Sequence, residues 1–320
     1  MTKHSTDADE LLASTRTDAL SRRKLLAGGV AVAAASGLLR SGVANAAESR
    51  EELAAHMPSD YKITIGRIKQ SAVHWCFKPM DVETLAAGAA RMGFKSVELV
   101  GPADWPTLEK HGLICAISPS HGFVKGFAHR EEHEECIAAL RKSIDATSDA
   151  KFPNVITFSG MRRGLVEDEG LENMVAGLKK IVGYAEQKNV TICLEMLNSR
   201  VPIEMKGHPD YMCDKIEWAV EICRRIGSPR MKVLFDIYHV QIMEGDIISR
   251  IKQYHEHIGH YHTAGVPGRN EIDLSQELSY PAIMRAIAET GYTGYVGQEF
   301  IPRNADMLAS LAQAAKLCDV

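Results

Sequence analysis

From residue 68 onward the chain alternates short apolar runs with longer segments whose apolar residues recur at helical spacing. The strand-like runs fall at 68–77, 96–100, 113–117, 154–158, 191–197, 232–237, 258–262 and 295–299. Between them lie helix-like segments at 81–92, 105–110, 131–146, 171–188, 211–226, 247–255 (with a short turn before it), 280–289 and 306–317. Gly93, Gly112 and Gly227-Ser228-Pro229 stand where helices should stop. Strands that alternate with helices pair in parallel, and eight such units in roughly 250 residues predict a single-domain (β/α)8 barrel. A doubly wound open sheet is the alternative. The first strand has no Gly-rich phosphate loop after it, which weakens that alternative.

Four of the runs end on an ionisable side chain: Glu195, Asp236, His262 and Glu299. Such groups are costly to bury unless they are paired or hold a metal. In a parallel barrel the C-terminal ends of strands five to eight share one mouth, so these four can meet although they are far apart in sequence. Three carboxylates and one imidazole suit a divalent ion such as Mn or Mg, with Zn, Co and Fe as further options. Four separate salt-bridged charges is the reading without a metal.

Composition changes this picture little. The 320-residue chain is 45% hydrophobic, enough for a sizeable core. Its net charge of −4 gives no reason to expect nucleic acid as a partner. The seven cysteines form no C-x-x-C pair and read as small core residues.

The first segment reads as an address. Polar residues 1–20 lead to Ser21-Arg22-Arg23-Lys24-Leu25-Leu26, a weakly apolar stretch to Leu39, and Ala44-Asn45-Ala46. The stretch is too short and too rich in Ala and Gly for a comfortable membrane span. The order of parts looks like a twin-arginine export signal with a small-x-small cleavage site. The expected organisation is a signal over 1–46, a short helical linker over 47–65 and the barrel over 66–320. It implies export by the twin-arginine machinery to the periplasm or beyond, with no stable membrane anchor after cleavage. Homo-oligomerisation stays open.

The strand-end motifs resemble those of the xylose isomerase-like superfamily, nearest its hydroxypyruvate isomerase and ketose 3-epimerase branches. The resemblance spans about residues 65–318. It rests on Leu194-Glu195-Met196-Leu197-Asn198, Phe235-Asp236-Ile237-Tyr238-His239-Val240-Gln241, Ile258-Gly259-His260-Tyr261-His262, Gly268-Arg269-Asn270-Glu271-Ile272 and Tyr295-Val296-Gly297-Gln298-Glu299-Phe300. It implies that Glu195 and Glu299 bind the metal and pass a proton beside a carbonyl, with Asp236 and His262 completing the coordination. It also implies that His239 and Arg269 contact the substrate. His262 stands where the epimerases carry His and hydroxypyruvate isomerases can carry Gln. The second substrate-binding acid of the epimerases has no clear match; Glu204 is shifted from its place. The resemblance points to conversion of hydroxypyruvate to tartronate semialdehyde. Ketose 3-epimerisation, a lyase or dehydratase acting on a 3-keto-sugar, and non-catalytic sugar binding remain alternatives.

The residues themselves add further candidates. His74, Trp75 and His121, at the ends of strands one and three, could line the pocket as substrate contacts or simply pack. Glu98, ending strand two, is either a pocket acid or the partner of a nearby base. Arg162 and Arg163 could reach an anionic substrate.

Overall fold

The computed structural model describes residues 61–320. The expected signal, and the expected linker up to residue 60, lie outside the described residues. Residues 61–65, which the sequence assigns to the end of a helical linker, form no helix. They wrap against Asp319 instead. Its carboxylate accepts hydrogen bonds from the amides of Thr64 and Gly66 at 2.8 and 2.7 Å and from the Tyr61 hydroxyl at 2.8 Å.

Eight strands follow: β1 (Lys69–Val73), β2 (Ser96–Glu98), β3 (Ile117–Ser118), β4 (Asn154–Thr157), β5 (Thr191–Glu195), β6 (Met231–Asp236), β7 (Ile258–Thr263) and β8 (Tyr295–Gln298). They pair in parallel in the order β2-β1-β8-β7-β6-β5-β4-β3. The two ends of that series also meet. Ser96 bridges Ile114, and the amides of Val97 and Leu99 donate to the carbonyls of Ile114 and Ile117 at 3.1 Å. The result is the nearly closed (β/α)8 barrel that the alternation predicts.

The outer layer is α1 (Val82–Met92), α2 (Trp105–Lys110), α3 (His133–Asp149), α4 (Glu167–Leu178), α5 (Val182–Gln187), α6 (Ile216–Ile226), α7 (Ile237–Met243), α8 (Ile247–Tyr254), α9 (Tyr280–Glu289) and α10 (Met307–Cys318). The reasons for their starts are local. Asp81 caps α1 by accepting from the Thr84 amide at 2.7 Å, and Asp306 caps α10 through the Ala309 amide at 2.9 Å. Gly93 ends α1 at φ 90°, a left-handed conformation that glycine adopts without a Cβ penalty.

Three departures from the sequence reading have physical causes. The helix expected over 171–188 is two helices, because the amides of Lys180 and Ile181 bond three residues back and tighten the chain between them. The helix expected from residue 211 starts at Ile216. Before that point the backbone is held by the barrel-top loops, with Met212 donating to the Gly160 carbonyl and Cys213 accepting from Leu197. The expected turn before α8 is instead the helix α7, and Asp236 starts it.

The core is continuous, and all seven cysteines are buried and unpaired. Among the described residues no helix is long and apolar enough to cross a membrane.

Candidate active site

The ends of β5, β6, β7 and β8 bring Glu195, Asp236, His262 and Glu299 together, one ligand atom from each lying within 4.8 Å of the others. The register explains the meeting: Asp236 lies beside His262, and His262 beside Gly297, two residues before Glu299. All four side chains are buried. Asp236 divides its oxygens between two tasks. Oδ1 accepts from the amides of Tyr238 and His239 at 2.8 and 3.2 Å and so caps α7, while Oδ2 faces His239 Nε2 at 3.6 Å.

The orientation of His262 is fixed from behind. Its Nε2 and that of His260 both lie 2.9 Å from Glu98 Oε1. A carboxylate only accepts, so His262 carries its proton on Nε2 and turns Nδ1 toward the cluster. Nδ1 stands 3.4 Å from Glu195 Oε1 and 3.1 Å from Glu299 Oε2. Neither His262 Nδ1 nor Glu195 Oε1 has a hydrogen-bond partner, although both are sealed from solvent. Burial pushes the Glu98 carboxyl up, but the two imidazoles outweigh it and hold the group at about 2. Glu98 is therefore the structural partner of two bases, not a pocket acid. The space it needs comes from Gly297, where a Cβ would sit 2.2 Å from Glu98 Oε1 and 2.8 Å from His262 Cδ2.

Arg269 is buried inside the site, 2% exposed, where a solvated loop arginine would stand in water. Its Nη2 contacts Glu299 Oε2 at 2.5 Å and Asp236 Oδ2 at 3.5 Å, and Nη1 donates to the Met205 carbonyl at 2.8 Å. Trp75 and Tyr238 present their ring faces to the guanidinium at 5.1 and 5.6 Å. Arg269 takes φ 57°, and the turn is held by its amide on the Gly265 carbonyl and by Ile301 on its own carbonyl.

The charge balance of this cluster is negative. Burial and the Glu299 charge raise Glu195 and raise Asp236 well above the carboxylate range. Burial alone would lower His262, but Glu299 and the surrounding carboxylates raise it well above its ordinary value. Burial would likewise raise Glu299, yet Arg269 and His262 hold it well below the usual range. Groups that recruit protons in this way form a site built to receive positive charge. The two unpartnered donor atoms and the set of three carboxylates and one imidazole fit a divalent metal ion.

The remaining predicted residues separate cleanly. His239 accepts the Asn198 amide at Nδ1, 2.9 Å away, which leaves Nε2 as an unpartnered donor within the site. Burial, then Arg269, lowers its pKa and keeps it neutral. His121 lines the cavity over the cluster, with its ring held by Thr157 Oγ1 at 2.9 Å and the Gly122 carbonyl at 3.1 Å. His74 bonds the Met80 carbonyl at 3.0 Å and is not in the cavity wall, whereas its neighbour Trp75 is and donates to Glu299 Oε1 at 3.2 Å. Arg162 pairs with Asp214 at 2.8 Å and Arg163 with Glu132 at 2.7 Å, so both are engaged outside the cavity. Glu271 turns away and accepts the amide of Asn304 at 3.0 Å. Glu204 is exposed. Near it the cavity wall carries Met205 and His208, which the sequence reading did not single out. No strand-end signal marks His208, because it lies in an irregular loop. The cavity has a volume of about 190 Å³.

Comparison with known proteins agrees with this architecture. A family model described as xylose isomerase-like TIM barrel matches residues 86–317. A human protein named putative hydroxypyruvate isomerase is 31% identical over 221 residues, covering 69% of this chain and 75% of its own. A Cupriavidus necator 2-oxo-tetronate isomerase is 37% identical over 119 residues, covering 37% of this chain and 43% of its own. A solved structure described as AP endonuclease, family 2, from Brucella melitensis superposes with a TM-score of 0.67 at 24% identity, covering 78% of this chain and 99% of that one. At that identity the likeness shows the fold alone. The matched span and the curated relatives place this chain in the xylose isomerase-like TIM barrel family.

Proposed function

We propose that this protein is an isomerase that moves a proton next to a carbonyl in a small hydroxy-keto acid or sugar, with a divalent metal held by Glu195, Asp236, His262 and Glu299. The observation that carries the reading is the convergence of two buried glutamates, which line a cavity, with Asp236 and His262. The relatives named as hydroxypyruvate and 2-oxo-tetronate isomerases support the substrate class. When bound, the metal would polarise the carbonyl and hydroxyl oxygens of the substrate and offset the negative charge that develops there.

The two glutamates stand in different environments, which divides their roles. Both oxygens of Glu299 are engaged, Oε1 by Trp75 and Oε2 by Arg269. Glu195 Oε1 is unpartnered, so Glu195 takes the proton from carbon and passes it to the former carbonyl oxygen, while the ionised Glu299 takes the proton of the adjacent hydroxyl and returns it to the neighbouring carbon. His239 donates from Nε2 to a substrate oxygen, and Arg269 retains an unpartnered Nε within the same site.

Hydroxypyruvate to tartronate semialdehyde is the leading conversion. Ketose 3-epimerisation is the second reading, favoured by the histidine at the β7 ligand position. The test strips the protein with a chelator, then adds back Mn, Mg, Zn or Co while assaying hydroxypyruvate, 2-oxo-tetronate and ketohexoses. Conversion of one substrate class that disappears on stripping and returns with metal is expected. Undiminished turnover by the stripped protein contradicts the metal role. Stoichiometric metal with no turnover points to a binding protein.

A further inference from the structure

The helix α7 joins the site to a group of charges nearer the surface. Asp236 caps its start, and Tyr238 and His239 lie in its first turn. Three other segments hold its far end. Arg200 Nη1, in the connection after β5, donates to the Ile242 carbonyl at 3.0 Å. Arg250 Nε, on α8, donates to the Gly245 carbonyl at 3.0 Å. Glu244 Oε2 accepts the amide of Ile216, the first residue of α6, at 2.8 Å. Glu244 therefore ties the end of α7 to the start of α6.

Glu244 also meets a second carboxyl, that of Glu217 on α6. One guanidinium nitrogen serves both: Arg250 Nη1 stands 2.6 Å from Glu217 Oε1 and 3.2 Å from Glu244 Oε1. The Tyr254 hydroxyl, also on α8, donates to Glu217 Oε1 at 3.2 Å. The other groups nearby do not change this balance. Asp214, just before α6, is paired with Arg162 at 2.8 Å, and burial pushes the Cys213 thiol well up and keeps it neutral. Two carboxylates against one guanidinium leave one negative charge in excess. The Glu244 side chain is 11% exposed and that of Glu217 55%, so the cost of that charge falls on Glu244. A proton between the two removes it, with the Glu244 carboxyl donating to the Glu217 carboxylate. Burial, then the hydrogen bond with Glu217, raises Glu244 to about 7; the Ile216 amide favours the charged form, but by less. Burial would raise Glu217 too, yet the hydrogen bonds from Glu244 and Arg250 outweigh it and hold the group at about 2.

We propose that Glu244 is a positioning residue: as the protonated partner of Glu217 it fastens α7 to α6, and loss of the shared proton loosens the helix that carries His239 and starts at Asp236. Deprotonation sets two carboxylates against each other at this joint, with one arginine nitrogen between them. Glu244 binds its proton more tightly in the folded chain than in the unfolded one. Its contribution is therefore complete below the ordinary carboxylate pKa and is lost as pH rises through about 7. The device acts on the helix and does not depend on the isomerase reading.

The test has two readouts on the full chain and on Glu244→Gln, whose amide keeps an uncharged donor toward Glu217. The first is carbon NMR of carboxyl-labelled glutamate across the neutral range. Wild type should show a carboxyl titrating near 7 that is missing from Glu244→Gln. In Glu217→Gln, with the partner charge gone, the same signal should move down toward the ordinary carboxylate range. The second is hydrogen exchange of the α7 amides, read on peptides covering residues 237–243. At about pH 6 the wild type and Glu244→Gln should exchange alike, while at about pH 8.5 wild-type α7 should exchange about 3- to 10-fold faster, with the barrel strands unchanged. A Glu244 carboxyl that titrates below about pH 5 overturns the shared proton. A titration near 7 with the same α7 exchange ratio at both pH values overturns the positioning role. Should Glu244→Gln fail to fold, the Glu217→Gln titration and the wild-type exchange of α7 relative to the strands decide the same two points.

Discussion

Glu98 shows how much of the site rests on a residue that touches no substrate. It anchors two histidines through one oxygen, and one of them presents Nδ1 to the cluster. Removing an anchor of this kind typically costs 10- to 100-fold in metal affinity. Glu98→Gln keeps the shape but loses the charge that fixes the tautomer. It should weaken Mn binding by about that factor, measured by titration of the metal-free protein, with the melting temperature of that metal-free form little changed. Unchanged affinity would mean that His262 is oriented by packing alone. The four clustered strand-end residues were legible in the sequence because each closes an apolar run. The role of Glu98 was not, since a carboxylate at a strand end reads the same whether it faces a substrate or a histidine. Arg269 illustrates the same limit: its burial between Trp75 and Tyr238 depends on a turn that periodicity does not describe.

At the scale of elements, the strands and most helices follow from apolar spacing, while their ends follow from hydrogen bonds that spacing does not encode. The β5–α6 connection is the clearest case. Its residues 211–214 look helical, yet they bond the loops at the barrel mouth, the Tyr211 amide donating to the His208 carbonyl at 3.0 Å. The clasp between Asp319 and residues 61–66 is another such bond set. Partial burial pushes Asp319 up, but the amides of Gly66, Thr64 and Ile65 outweigh it and hold the group below the usual carboxylate value. A carboxyl depressed in the folded state stabilises above its unfolded pKa and loses that contribution as pH falls through the folded one. Asp319→Asn should therefore cost about 1.5–3 kcal/mol near neutral pH. The difference from wild type should shrink as pH falls below about 4. Thermal melts of both proteins across that range check it, and a pH-independent difference would contradict the ionic account of the clasp.

For the molecule as a whole, the barrel's function is to bring side chains from β2, β5, β6, β7 and β8 to one point. Separations of up to about a hundred residues vanish because parallel strands end at a common mouth. Burying three carboxylates there is unfavourable without compensating positive charge, and Arg269 and His262 supply only part of it. This imbalance is the ground for the proposal that the cluster takes a cation and transfers protons. The measurement that tests this most directly is proton NMR of the metal-loaded protein in deuterated water with a hydroxy-keto acid substrate. It should be run beside Glu195→Gln and Glu299→Gln. The account predicts deuterium at the substrate carbon next to the carbonyl, with loss of that exchange by both variants while they remain folded. Exchange that persists in either variant, or is absent from a wild-type protein carrying stoichiometric metal, would contradict the assignment of the two glutamates as the proton-transfer pair.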